Sequence, residues 1–262
     1  MKHLALLILL LLGNQCYSQS NEAVGSNIFG YNLSDAIDGT YDIVRTDEDG
    51  KVVWVKPIIT DNNIPFDLIT NHSDLWNYNL NERQLEVSAL PRSDIYINPA
   101  GKNSADAQSL MNATTLLGVP PEGDYQFAAR ITVDFKSQYD AGVLLIWSDK
   151  NYWAKFCFEY SPDSNPMVVS VVTLNVSDDA NSFIVLGNSI WYRVSRQDHV
   201  YALHASLDGK VWQLIRVFTL GEDINNHKVG FLAQSPTGIG CEIKFNEISF
   251  SQKRLIELRD GS

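Results

Sequence analysis

From Tyr139 to Leu174 the chain reads Y-D-A-G-V-L-L-I-W-S-D-K-N-Y-W-A-K-F-C-F-E-Y-S-P-D-S-N-P-M-V-V-S-V-V-T-L, and few folds accept such a stretch. Three strand-like runs, 142–147, 152–160 and 167–174, are separated by S-D-K-N and S-P-D-S-N-P, residues that build tight turns. Three hairpin-linked strands cannot bury both of their faces, so the remaining chain must supply a second layer. Side chains alternate along a strand. Trp153, Lys155, Cys157 and Glu159 therefore share one side of the middle run, opposite Tyr152, Ala154, Phe156, Phe158 and Tyr160. A row that mixes an indole, a cation and a carboxylate either faces solvent or lines a groove.

The flanking sequence extends the same pattern. A hairpin is expected from Y-D-I-V-R and K-V-V-W-V around the Asp49-Gly50 turn, and a strand from 84–90. Residues 57–81 and 98–109 read as loops. Residues 124–135 alternate cleanly, with Phe127, Ala129, Ile131 and Val133 on one face. Further runs follow at 183–186, 191–196, 200–206, 210–219, 228–234 and 241–251, and the segment 175–182 between runs reads as an Asx-rich turn. Short strands in series with almost no helical periodicity predict an all-β fold, an antiparallel β-sandwich.

Export is the expected fate. Met1-Lys2-His3 precedes the apolar run Leu4–Leu12 and a polar, small-residue end near Gln19, the pattern of a cleaved signal peptide over residues 1–19. The apolar run is shorter than the roughly 20 residues a membrane span needs. Cys16 raises a lipid anchor, but Gly13-Asn14-Gln15 before it is a poor acylation signal, so a free periplasmic or extracellular protein is preferred. Loss of Lys2 would take the net charge from −11 to −12, which disfavours nucleic acid and anionic membranes as partners. Cys157 and Cys241 would remain. An oxidising compartment permits a bridge between them, although each lies in a strand-like run where a free thiol packs as a small apolar group.

A longer series of short motifs carries a resemblance. Tyr139-Asp140-Ala141-Gly142, Trp153-Ala154-Lys155, Glu159, Val171-Val172-Thr173 and Ser177-Asp178-Asp179 are followed by Trp191-Tyr192-Arg193 and Ser206-Leu207-Asp208-Gly209. Trp212, Arg216, Gly230-Phe231 and Gln234-Ser235-Pro236 complete it. In this order and spacing the chain resembles the domain of unknown function 1349, the regulation-of-enolase-type family of concanavalin-A-like β-sandwiches, over about residues 74–251. The resemblance implies a jelly roll with a concave and a convex sheet and no settled activity, since the wider fold hosts lectins, glucanases, lyases and accessory domains of xylosidases. Residues 20–73, with the hairpin expected to pack on the sandwich, lie before the match. Residues 252–262 follow it and read as a frayed tail or short helix.

The candidate ligand-binding residues are Trp153, Lys155, Glu159, Thr173, Arg193, Arg216 and Gln234. On one concave sheet, with Trp191, they would form a cleft for carbohydrate, aromatic faces stacking on a pyranose and polar groups bonding its hydroxyls. The bland alternative is a buried network pairing Lys155 or Arg193 with Glu159; for His204 the bland alternative is preferred. Glu159 is the one catalytic candidate, and hydrolysis would need a second carboxylate about 5–9.5 Å away. Asp178 and Asp179 are weak calcium candidates, and no other cofactor is expected. Three functions stay open: carbohydrate recognition, a glycoside hydrolase or lyase on the same face, and a protein-interaction module. On the first, Glu159→Gln and Trp153→Ala would impair binding and leave thermal stability nearly unchanged.

Overall fold

The computed structural model describes residues 64–79, 81–101, 109–223 and 227–262, together with the backbone of 43–46 and 52–55. The chain divides into two units, Met1–Pro57 and Ile58–Ser262. In the first unit β1 (Ile43–Thr46) and β2 (Val52–Val55) pair antiparallel with Ile43 opposite Val55, as the hairpin reading expects. The expected signal segment and Cys16 lie outside the described residues.

The second unit is a β-sandwich. Its strands are β3 (Ile69–Thr70), β4 (Trp76–Asn79), β5 (Gln84–Ser88), β6 (Ile95–Tyr96), β7 (Leu110–Met111) and β8 (Thr114–Gly118). Next come β9 (Tyr125–Val133), β10 (Ala141–Asp149), β11 (Tyr152–Tyr160), β12 (Pro166–Leu174) and β13 (Val176–Ile184). The last are β14 (Ser189–Gln197), β15 (Val200–Ser206), β16 (Gln213–Thr219), β17 (Lys228–Gln234) and β18 (Glu242–Ser251). Among the described residues they form two seven-stranded antiparallel sheets. The first runs β13-β12-β11-β10-β17-β8-β3 and the second β16-β15-β14-β9-β18-β5-β4, while β6 and β7 pair separately. This is the antiparallel sandwich that the strand pattern predicts, in the concanavalin-A-like jelly-roll form that the family resemblance implies. No helix among the described residues is long and apolar enough to cross a membrane.

Alternation produces the core directly. Phe127, Ala129, Ile131 and Val133 of β9 turn inward against Leu144, Ile146, Phe156, Phe158 and Phe231 of the first sheet. Phe156 stacks on Tyr192 with ring centroids 3.7 Å apart, and the Tyr192 hydroxyl donates to the Cys157 carbonyl at 2.8 Å, tying the sheets together. Gly142 sits where side chains of the second sheet press against the first. A Cβ there would stand 2.6 Å from the Ile131 Cγ2 and 2.7 Å from the Ile243 Cγ2.

Three expectations change, and the free-thiol reading of the two cysteines holds. Residues 57–81 are not all loop, since β3 and β4 add an edge to each sheet. Residues 176–184 form β13, an edge strand whose polar composition hides its alternation because it has no deeply buried face. Residues 252–261 are neither frayed nor helical. They lie over the second sheet, with Leu255 buried and the Lys253 and Leu255 carbonyls held by Gln126 and Gln197. Cys157 and Cys241 are free and buried in separate apolar clusters, so no bridge joins them.

Candidate functional site

β11 is flanked by β10 and β12 in the first sheet, and its outward row is the one alternation predicts: Trp153, Lys155, Cys157 and Glu159. The ladder places Gln234, Ala141, Glu159 and Met167 side by side across four strands. The small side chains of Ala141 and Cys157 leave room for the Lys155 alkyl chain to lie along the sheet. Its ammonium meets Gln234 Oε1 at 2.9 Å and Asp94 Oδ1 at 2.6 Å.

Asp94 arrives on a segment that crosses this face. The segment is pinned at one end by reciprocal backbone hydrogen bonds between Ser93 and Ser235. At the other end Ser177 N–H donates to the Ile97 carbonyl, and Ile97 N–H donates to the Ser177 Oγ. Between these clamps Ile95 is buried among Val143, Leu145, Trp153, Cys157 and Leu232. Apolar burial of Ile95 thus fixes the register that delivers Asp94 to Lys155.

The electrostatics follow from this packing. Lys155 is 2% exposed. Burial opposes its charge, yet the Asp94 carboxylate, chiefly, holds the ammonium above its ordinary range. Burial pushes the Glu159 carboxyl up to about 8; Lys155 works against this, and Asp179 and Asp94 add to it. At neutral pH Glu159 is therefore mainly a neutral acid that can both donate and accept. Asp179, on the edge strand, is raised by desolvation of its carboxyl, and Asp94 adds to the shift against Lys155. The Tyr96 hydroxyl is raised by burial and then by Asp179 and Asp94. One buried cation, three acids and a phenol thus act on one another at this face.

The other candidates divide. Gln234 joins the cluster through Lys155. Thr173 is buried and bonded to Ser177 at 3.0 Å, a support for the edge strand. Trp153 is fully buried, so its faces have no room for a sugar ring, a correction to its reading as a stacking platform. Arg193 and Trp191 belong to β14 in the second sheet and cannot join the Glu159 face. Arg216 lies on the edge strand β16 and pairs with Asp178 of β13 at 2.7 Å. Asp178 and Asp179 are neighbours on a strand and point to opposite sides, so they cannot close on one calcium ion together. His204 is buried in β15, its Nε2–H donating to the Leu258 carbonyl at 2.8 Å. Burial pulls its imidazole down to about 4, the Leu258 carbonyl opposing and Arg193 assisting.

Asp94 and Tyr96 are the members that sequence reasoning missed. A signal was present: after Pro91, D-I-Y-I alternates polar and apolar residues, and a buried lysine on a central strand requires an acid from elsewhere.

Comparisons with known proteins agree with this architecture. A functionally unknown protein from Saccharomyces cerevisiae matches with a TM-score of 0.61 and 19% identity, over 71% of this chain and 97% of that one. The GH43 protein BlXynB from Bacillus licheniformis matches at 0.57 and 11%, over 86% of this chain and 50% of its own. A xylan beta-1,4-xylosidase from Bacillus halodurans C-125 matches at 0.53 and 9%, over 80% and 46%. At these identities the likeness is one of fold, and the chain spans about half the length of the two Bacillus proteins. No curated protein sequence matches. The profile of a family described as a protein of unknown function, DUF1349, matches residues 70–253.

Proposed function

The chain belongs to the DUF1349 family, and from that premise we propose that it is a carbohydrate-recognition module whose ligand docks at the Glu159 end of the first sheet's outer face. The observation that carries the reading is the placement of Glu159 on the same outer row as a cation already taken up by Asp94 and Gln234, where burial pushes its carboxyl up towards the neutral form. A protonated acid offers a sugar hydroxyl one donor and one acceptor without the desolvation cost of a naked charge. Tyr139, whose N–H donates to the carbonyl of Tyr160 next to Glu159, adds an exposed ring at the same end of the strand pair. Tyr139 holds a backbone φ of +69°, a strained conformation of the kind that collects at ligand sites. The same reading takes the chain as exported, on the strength of the Leu4–Leu12 run.

A second reading, glycan processing, is favoured by the influence of Asp179 and Asp94 on Glu159. An acid near 8 is suited to protonating a leaving group, and a neighbouring carboxylate is the further requirement of hydrolysis. A glycan array that begins with xylo-oligosaccharides, prompted by the names of the Bacillus proteins, tests both. Bound but intact sugars support recognition, cleaved sugars support processing, and no binding refutes both.

A further inference from the structure

The outer face of the second sheet holds a buried arginine that no acid answers. Arg193, in the middle of β14, is 7% exposed, and burial draws its guanidinium down to about 10. No acidic side chain among the described residues pairs with it. Nη1 reaches Gln126 Oε1 at 3.4 Å, Nη2 donates to the Gly261 carbonyl at 2.6 Å, and Nε has no partner. Trp212 lies against the guanidinium at 4.4 Å and fixes its plane.

Nε and Nη2 share one edge of a guanidinium, a fork that matches the two oxygens of a carboxylate. Here a single carbonyl occupies half of that fork. The surroundings are equally undersatisfied. His204 is the cross-strand neighbour of Arg193 and leaves Nδ1 unpartnered, as does Ser195 its Oγ two residues along the same side of β14; both residues are fully buried. Three orphaned polar atoms on adjoining positions of one face call for an explanation beyond packing.

The face is closed by the chain itself. Gln126, Gln197, His204 and Arg193 take the carbonyls of Lys253, Leu255, Leu258 and Gly261 in turn. At the end of this strap Gly261 adopts φ +78°. A Cβ there would collide with Arg193 Nη2 and press on His204 Cδ2 and Trp212 Cβ at 3.1 and 3.2 Å. The slot is thus shaped to bring a carbonyl oxygen onto the arginine.

We propose that this slot is a carboxylate-binding site, in which the Nε–Nη2 edge of Arg193 takes both ligand oxygens, Trp212 backs the guanidinium and the Gly261 carbonyl stands in for the ligand. A uronic acid and the terminal carboxylate of a peptide present the same chemistry. The site is separate from the Glu159 face and does not depend on the function proposed for it.

The test is a titration of the full chain with D-glucuronate and with N-acetylglycine, against glucose and N-acetylglycinamide as neutral counterparts. Tryptophan fluorescence and the Arg193 Nε–H resonance report binding. Saturable binding of a carboxylate, and not of its neutral counterpart, is expected; whichever acid binds identifies the source. Gly261→Ala, which unseats the strap, should tighten it about tenfold, and Arg193→Lys, which keeps the charge but loses the fork, should weaken it at least about tenfold. If neither acid moves the Nε–H resonance in the parent protein or in Gly261→Ala, or if the neutral counterparts bind equally, the proposal is overturned. The resonance in the parent protein decides between these outcomes even where Arg193→Lys fails to fold.

Discussion

Lys155 and Asp94, 61 residues apart in sequence, meet at 2.6 Å on the outer face of the first sheet. Their side chains are 2% and 14% exposed, so the pair sits almost entirely out of water. Removing one partner of a buried pair leaves an unanswered charge. Lys155→Met should therefore lower stability by about 3–5 kcal/mol, read from urea unfolding, while Lys155→Met with Asp94→Leu should recover much of that loss. Equal losses in the single and double variants would show that the pair contributes nothing beyond its packing.

Glu159 gives a pH dependence of opposite sign to an ordinary carboxylate. Its folded carboxyl titrates at about 8 against 4.5 when unperturbed, so between these values the folded state binds more protons than the unfolded one. Its contribution is fully present below about pH 4.5 and is lost as pH rises through about 8. Glu159→Gln, which mimics the protonated acid, should remove that loss and melt higher than the parent at pH 9. Identical melting curves across pH 5–9 would contradict the assignment.

His204 acts in the other direction. Its imidazole, near 4 in the fold against 6.5 when free, makes the unfolded state the better proton acceptor between those values. Stability should fall as pH drops from 6.5 towards 4. That slope should be reduced in His204→Gln when thermal midpoints are compared at pH 4.5 and 7.

Trp153→Ala should cost about 3–5 kcal/mol, because it empties a fully buried indole site beneath the crossing segment. This reverses the expectation from sequence that the substitution leaves stability nearly unchanged. A change in melting temperature of less than about 2 °C would restore the ligand-facing reading.

The sandwich was legible because its central strands state their faces plainly: Phe127, Ala129, Ile131 and Val133 could only point one way. β13 was not, since V-S-D-D-A-N-S-F-I runs along an edge with little burial to impose a pattern. Of the site, the row from Trp153 to Glu159 follows from periodicity within one strand. Its exposure does not, because Ile95 and Asp94 cover it from a segment more than fifty residues upstream. Arg193 was grouped with Glu159 as a polar residue at a strand position, on the expectation that both face one sheet. Which sheet a strand joins is a matter of topology, and side-chain type carries no record of it.

The most direct test of the recognition reading is a binding isotherm for the first array hit with three proteins at pH 7: the parent, Glu159→Ala and Glu159→Gln. The account expects saturable binding of a neutral oligosaccharide, weakened at least about tenfold in Glu159→Ala and kept within about threefold in Glu159→Gln, since the amide reproduces one donor and one acceptor. The raised carboxyl thereby reverses the expectation from sequence that Glu159→Gln impairs binding. Undiminished binding in Glu159→Ala would contradict it and move the ligand off this face.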